Sequence, residues 1–135
     1  MAINTDELAL HPQTQLQLQR FMQHPPHALL LLGVEGLGKQ HLVTLMVHEM
    51  LGLASGTDVM KYPYLRIVRP QEGKVSIGIE AIRDLQHFTS LKLPGSTHTL
   101  RFIVIPEAHL LTTEAQNALL KLLEEPPQDT TFLFE

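Results

Sequence analysis

A glycine-rich segment, GVEGLGKQ, contains the residues whose types and spacing are best suited to chemistry. It fits the pattern GxxxxGK at Gly33, Gly38 and Lys39. Glycines at this spacing let backbone N–H groups turn inward around phosphate oxygens, and the lysine reaches the outer phosphates. The segment therefore predicts a phosphate-binding loop whose nucleotide contacts are Gly33, Gly36, Gly38, Lys39 and Gln40. The alternative is a tight glycine turn with Lys39 in solvent.

Two positions lack the side chains with which such a loop holds magnesium. A working loop has Ser or Thr after the lysine, where this sequence has Gln40. The second ligand is an acidic residue that ends a hydrophobic strand, but the strand FIVIPE delivers Pro106 and then Glu107. Glu107 is either the remnant of a general base or a carboxylate favoured by the dipole of the next helix. We therefore expect no catalytic residue, no metal ligand, no hydrolysis and at most weak binding of ATP or ADP.

The surrounding sequence alternates between apolar strands and amphipathic helices. Strands are predicted at Ala28–Leu32, Tyr64–Val68, Arg101–Ile105 and Thr131–Phe134. Helices are predicted at Gln13–Gln23, Lys39–Leu51 and Ile79–Leu91, and from a cap at Thr112 or Thr113 to the Pro126–Pro127 pair. This order predicts an α/β fold with three layers, in which helices cover both faces of a mainly parallel sheet. A ligand would then bind at the carboxyl ends of the strands.

Three local patterns add detail to this arrangement. The run Ala28–Leu32 is apolar at every position, which favours a strand covered on both faces. Thr113 and Gln116 have the spacing of a capping box at the start of the last helix. The small and polar residues of Leu53–Tyr62 predict a loop.

Composition excludes several classes of protein. With 135 residues, 44% of them apolar and 18% charged, the chain should fold as one domain. The net charge is -4 and the basic residues are scattered. The sequence therefore contains no basic stripe of the kind that would indicate direct nucleic-acid binding. The absence of cysteine excludes disulfides and a thiolate zinc site and favours the cytoplasm. The acidic start and the short apolar runs predict neither a signal peptide nor a membrane span.

Histidines and paired carboxylates offer no second site. The eight histidines show no ligand spacing of the HExxH kind, so surface or capping roles are expected. Glu124 and Glu125 are adjacent on a helix and do not face each other, so we expect them on a solvated helix end or at a subunit contact.

Three stretches resemble the AAA+ module of bacterial DNA polymerase III clamp-loader subunits: HALLLLGVEGLGK, IEAIRDL and especially LLTTEAQNALLKLLEEPPQDTTFLF. The resemblance extends from about His11 to the end of the sequence. Within that family the gamma/tau type keeps its magnesium ligands and hydrolyses ATP, whereas the delta-prime type has degenerate ones. Gln40, Pro106 and the stretch YPYLRIVRPQEGK are similar to the delta-prime type.

The resemblance implies a non-catalytic stator in a pentameric ring that opens the sliding clamp and places it on primed DNA. Its partners would be the gamma/tau and delta subunits, and it would supply an arginine finger from a Ser-Arg-Cys motif located after Phe134. The alternative is an active gamma/tau-type subunit or another P-loop ATPase that hydrolyses Mg-ATP, with Gln40 tolerated and Glu107 catalytic. A P-loop kinase of small metabolites is a third interpretation, which lacks any match to the lid arginines of such enzymes.

Two departures from the family pattern limit these implications. The family usually carries a four-cysteine zinc module after the phosphate-loop helix, but Gly52–Lys61 is short and has no cysteine, so we expect no zinc. The family also has a fifth strand, a lid domain and a collar domain. We therefore expect residues 1–135 to form an incomplete AAA+ domain in which Ala28–Leu32 lies at the edge of the sheet.

An apolar edge strand can pair with another chain, because its backbone N–H and C=O groups have no partner on one side. We predict that the isolated 135-residue chain self-associates or exchanges segments, which sedimentation velocity at increasing concentration would detect. A strictly monomeric profile at high concentration would contradict this prediction.

Overall fold

Within residues 8–95 and 99–135, which the computed structural model describes, four helices and four strands alternate along the chain. The helices are α1 (Pro12–Gln23), α2 (Lys39–Met50), α3 (Ile79–Ser90) and α4 (Thr113–Glu124). The strands are β1 (Ala28–Leu30), β2 (Leu65–Ile67), β3 (Arg101–Ile105) and β4 (Thr130–Phe134). Each lies within two residues, at either end, of its predicted position. The predicted loop at Leu53–Tyr62 contains a 3₁₀ turn, Val59–Lys61.

The four strands form one sheet in the order β1-β4-β3-β2, and every pair is parallel. All five residues of β3 and all five of β4 are buried, because helices cover both faces at the centre of the sheet. Ile105 at the end of β3 pairs with Phe134 of β4, so these two strands end level with each other. The predicted three-layer α/β fold is confirmed.

The alternation of side chains along β3 connects the two halves of the core. Phe102 and Val104 pack with α1 and α2, whereas Ile103 and Ile105 pack with α3 and α4. Successive side chains of a strand point to opposite faces, so a strand that is apolar at every position fits only between two layers. Met46 of α2 is fully buried on the first face. The apolar sequence of β3 is thus explained by its place at the centre of the sheet.

The N-terminus of α4 differs from the predicted capping box. Thr112 is the N-cap, and its hydroxyl accepts a hydrogen bond from the Ala115 N–H at 3.2 Å. The Thr112 N–H donates to the Ile77 carbonyl at 3.0 Å, which holds Thr112 outside the helix. Gln116 donates through its side chain to the Leu111 carbonyl instead of capping Thr113. Of the two predicted caps Thr112 is confirmed, and the capping box at Thr113 and Gln116 was wrong, because a tertiary contact decides where the helix begins.

The expectation that Ala28–Leu32 is covered on both faces is confirmed for Ala28, Leu29 and Leu31, which pack against the core clusters of the two faces, and wrong for Leu30 and Leu32. β1 pairs with β4 on one side only and lies at the edge of the described sheet, as the resemblance implied. Leu30 is 56% exposed and Leu32 is 85% exposed. Among the described residues, every helix is too short or too polar to cross a membrane.

A buried arginine joins β3 to the end of α3. The Arg101 side chain is 2% exposed, and its guanidinium donates to the carbonyls of Thr89, at 2.8 Å, and Leu91. These carbonyls belong to the last turn of α3, where backbone acceptors have no helical partner. The guanidinium carbon also lies 5.2 Å from the ring centroid of Phe88. Burial lowers the pKa of Arg101, so these contacts replace the water that the cation lost.

We predict that Arg101→Ala lowers the free energy of unfolding by about 2–4 kcal/mol, because two charge-assisted hydrogen bonds are lost and two carbonyls are left unsatisfied. Urea unfolding followed by circular dichroism would measure the loss. The matched control is Arg83→Ala, which removes an exposed ion pair with Glu80 (2.7 Å) and should cost less than about 0.5 kcal/mol. Equal losses for the two variants would contradict the structural role of Arg101.

Candidate functional site

A cleft of about 820 Å³ opens at the carboxyl ends of the strands, where the parallel topology predicts a ligand. One wall is the loop between β1 and α2. The rest is formed by residues that follow the other strands: Arg69 after β2, Pro106 and Glu107 after β3, and Glu135 after β4. Four strand ends thus contribute to a single site.

The loop between β1 and α2 has the backbone conformation that its glycines predict. Gly36 has φ +84° and Gly38 has φ +79°, both in the left-handed region that side chains other than glycine rarely adopt. Gly38 is the N-cap of α2, so the N-terminus of that helix forms part of the cleft wall. Gly33, Gly36, Gly38, Lys39 and Gln40 all line the cleft. The structure therefore brings the five predicted residues together, while phosphate binding by them stays a prediction.

The ammonium group of Lys39 contacts its own loop. Its Nζ donates to the carbonyls of Gly33, at 2.9 Å, and Val34, at 3.0 Å. Two of the three donors of the lysine are therefore used within the loop. The alternative, in which the Lys39 side chain extends into solvent without contacts to the loop, does not agree with these two hydrogen bonds.

The donor atoms at the expected magnesium positions do not fit a magnesium ion. Gln40 is exposed at the cleft wall, and its neutral amide offers one carbonyl oxygen where a working loop has a hydroxyl. Pro106 lines the cleft without any ligand atom in its side chain. Among residues 8–95 and 99–135, no cluster of three His, Cys, Asp or Glu side chains could hold a metal ion. Glu107 is the one carboxylate from the predicted set, and it lies half-buried before a 3₁₀ turn.

Glu135 is a residue of the cleft that the sequence reasoning missed. Its backbone N–H donates to the Ile105 carbonyl, and its carbonyl accepts from the Ala108 N–H, both at 3.1 Å. The side chain is half-buried, and its Oε1 atom is buried without a hydrogen-bond partner. Burial raises the pKa of this carboxyl, and the positive charges of Lys39 and Arg69 offset only part of the rise.

Arg69 was missed for the same reason as Glu135. Neither residue belongs to a motif, but both lie directly beyond the apolar residues of a predicted strand. Because parallel strands end at one edge of the sheet, the position after each strand was the signal that could have identified them.

The histidines are distributed over the surface of the described chain. His41 and His109 line the cleft, the His11 side chain accepts from the Gln13 N–H at the start of α1, and His48 contacts the Ala54 carbonyl. His98 lies outside the described residues. The carboxylates of Glu124 and Glu125 are both exposed at the end of α4.

Comparison with known proteins identifies the family. The sequence model of the family described as "DNA polymerase III, delta subunit" matches residues 11–135. The chain belongs to this family. It is 33% identical to DNA polymerase III subunit delta' of Yersinia pestis, over 92% of this chain and 40% of that protein. It is 31% identical to subunit delta' of Escherichia coli K12, over 78% of this chain and 35% of that protein.

A tau subunit matches less of the chain, and a gamma subunit-related protein matches its fold alone. Subunit tau of Bacillus subtilis is 41% identical, but over 42% of this chain. The crystal structure of a gamma subunit-related protein from Thermotoga maritima superposes with a TM-score of 0.65 at 23% identity, over 88% of this chain and 38% of that one. This likeness shows the fold. The chain spans 35–40% of the length of its delta' relatives from Yersinia and Escherichia, and its resemblance to delta-prime subunits is confirmed.

We predict that Glu135→Gln raises the melting temperature at pH 8, because the ionised carboxylate is disfavoured by burial in the folded chain. A carboxyl whose folded pKa is raised binds more protons when folded, so stability falls as pH rises from the ordinary pKa of 4.5 through the raised pKa of the folded chain. The advantage of the variant should therefore shrink toward zero as pH falls below about 4.

Scanning calorimetry across this pH range would measure the effect. Glu72→Gln, which removes a carboxylate from an exposed turn, is the control for a change in net charge. The prediction fails if Glu135→Gln gives no larger gain at pH 8 than the control.

Proposed function

We propose that this chain serves as a delta-prime-type clamp-loader subunit that takes part in loading the sliding clamp during DNA replication without hydrolysing ATP itself. The observation that carries the proposal is the composition of the cleft. The glycine loop has two left-handed glycines and lines the cleft at the strand ends, which supports a nucleotide-type loop, while Gln40 and Pro106 stand where magnesium ligands would be needed. Membership of the DNA polymerase III delta subunit family supports the replication role.

The missing ligands argue against phosphoryl transfer on physical grounds. In P-loop enzymes magnesium bridges the outer phosphates and neutralises the charge that develops during transfer, and losing one of its ligands impairs the reaction by orders of magnitude. Here both positions are affected, and Lys39 is engaged by the Gly33 and Val34 carbonyls. Glu107 could orient a water molecule, but a base alone has little effect when the metal is not held.

We further propose that the chain works inside a pentameric ring with gamma/tau-type and delta-type subunits. The sliding clamp and primed DNA would be reached through that complex, in the bacterial cytoplasm. The net charge of -4 and the scattered basic residues support an indirect contact with DNA, since direct binding requires a concentrated positive surface. The delta' and tau names of the relatives support membership of such a complex.

An active ATPase of the gamma/tau type is the competing function. The retained lysine, the two glycines in left-handed conformation and Glu107 at the cleft favour it. It requires that Gln40 be tolerated next to the phosphates and that some group replace the missing acidic residue at Pro106. Measured hydrolysis separates the two functions directly.

We predict that Lys39→Ala leaves the DNA-stimulated ATP hydrolysis of a reconstituted loader containing the full chain within about twofold of wild type. The reason is that the hydrolysing sites would lie on other subunits. Phosphate release, measured with a coupled assay, is the readout. The matched control is the same Lys→Ala change in the phosphate loop of the gamma/tau-type subunit, which should abolish most hydrolysis. Turnover by the purified full chain, lost in Lys39→Ala, would falsify the proposal.

A further inference from the structure

The charges around the cleft are unfavourable for a triphosphate. Two cations, Lys39 and Arg69, face three carboxylates from Glu35, Glu107 and Glu135. A triphosphate carries several negative charges, which a divalent cation normally offsets, but Gln40 and Pro106 stand here where a working loop has the residues that hold that cation. The cleft lining therefore carries a net negative charge, as a triphosphate does, although the loop conformation would suit a triphosphate.

Glu135 differs from the other two carboxylates in its fixed position. Its backbone makes hydrogen bonds to Ile105 on one side and Ala108 on the other, so it extends β4 by one residue. Glu35, in contrast, lies exposed on the loop, and Glu107 precedes a short 3₁₀ turn. The sheet thus holds the backbone of Glu135 in place at the cleft, which this residue lines.

The two positive charges of the cleft are the groups that act on this carboxylate. Lys39 and Arg69 both stabilise the ionised form of Glu135, although burial outweighs them and its Oε1 atom has no hydrogen-bond partner. A phosphate entering the loop would need the same two cations. It would also have to approach a carboxylate whose backbone is held by the hydrogen bonds to Ile105 and Ala108.

We propose that Glu135 is a specificity-determining residue whose carboxylate, carried by the held backbone at the end of β4 in the cleft that Lys39 and Arg69 also line, excludes phosphate groups from the loop. The inference deepens the proposed function, on which it rests: a subunit that does not hydrolyse ATP also keeps its own loop free of nucleotide. The loop then acts as a structural connection between β1 and α2, held together by the Lys39 contacts.

Isothermal titration calorimetry on the full chain tests this inference with two probes, ATP and inorganic tripolyphosphate, at pH 8 in the presence of EDTA. Glu135→Gln should bind both probes about tenfold more tightly than wild type, because removing one nearby negative charge is worth on the order of a factor of ten in affinity. The gain should be lost when Lys39→Ala is added to Glu135→Gln. Glu135→Ala, checked for folding by circular dichroism, gives a second variant with the same expected gain.

The matched controls are Glu35→Gln and Glu107→Gln, which remove the other two carboxylates of the cleft. Each should raise the affinity by less than about threefold if the fixed position of Glu135 matters, and an equal gain in either would overturn the inference. Unchanged affinity in both Glu135 variants would also overturn it. EDTA removes magnesium, so the binding experiment does not depend on hydrolysis. The proposed function could therefore fail while the role of Glu135 is supported, and the role of Glu135 could fail while the proposed function is supported.

Discussion

The parallel pairing of all four strands is the constraint on which the site depends. Parallel strands end at the same edge of a sheet, and here β3 and β4 end level at Ile105 and Phe134. The residues that follow them, Pro106 and Glu135, are therefore placed beside the loop that follows β1. The helices and the buried residues of both faces maintain this arrangement, and the chemistry of the cleft follows from which residue occupies each strand end.

The backbone at these strand ends fits a phosphate-binding loop, whereas the side chains at two of its positions do not fit a magnesium site. Backbone features of a phosphate site remain, since Gly36 and Gly38 adopt left-handed conformations and Gly38 begins α2. The side chains that would hold a metal are replaced by an amide at Gln40 and by Pro106. Backbone geometry is supported by the whole sheet, whereas a metal ligand depends on one side chain. The backbone geometry of such a loop can therefore be kept while its metal ligands are replaced.

Much of this fold could be predicted from the sequence because its signals are local. The continuous apolar run of β3, the glycine spacing before Lys39 and the proline pair after α4 each specify a conformation through nearby residues. The errors arose where a distant contact decides the outcome. Thr112, and not the capping box at Thr113, caps α4 because its N–H is held by Ile77, and Leu30 is exposed at the edge of the sheet although the apolar run around it resembles that of the central strand β3.

Only the glycine-loop side of the cleft could be predicted from the sequence. The five residues of the glycine loop follow a known pattern, so the sequence alone locates them. Arg69 and Glu135 are isolated residues that become neighbours of the loop through the sheet order, and no spacing along the chain records that order. The charge balance of the cleft, which decides what it can bind, could therefore be seen only in the folded chain.

The central claim is that this nucleotide-type loop cannot hold a divalent cation. Electron paramagnetic resonance with Mn²⁺, which prefers the same oxygen ligands as Mg²⁺, tests it most directly. In a titration with ATP present, the account predicts that adding the protein removes no Mn²⁺ signal beyond what ATP removes by itself. One tightly bound Mn²⁺ for each chain, present with ATP and lost in Gln40→Ala, would contradict the account.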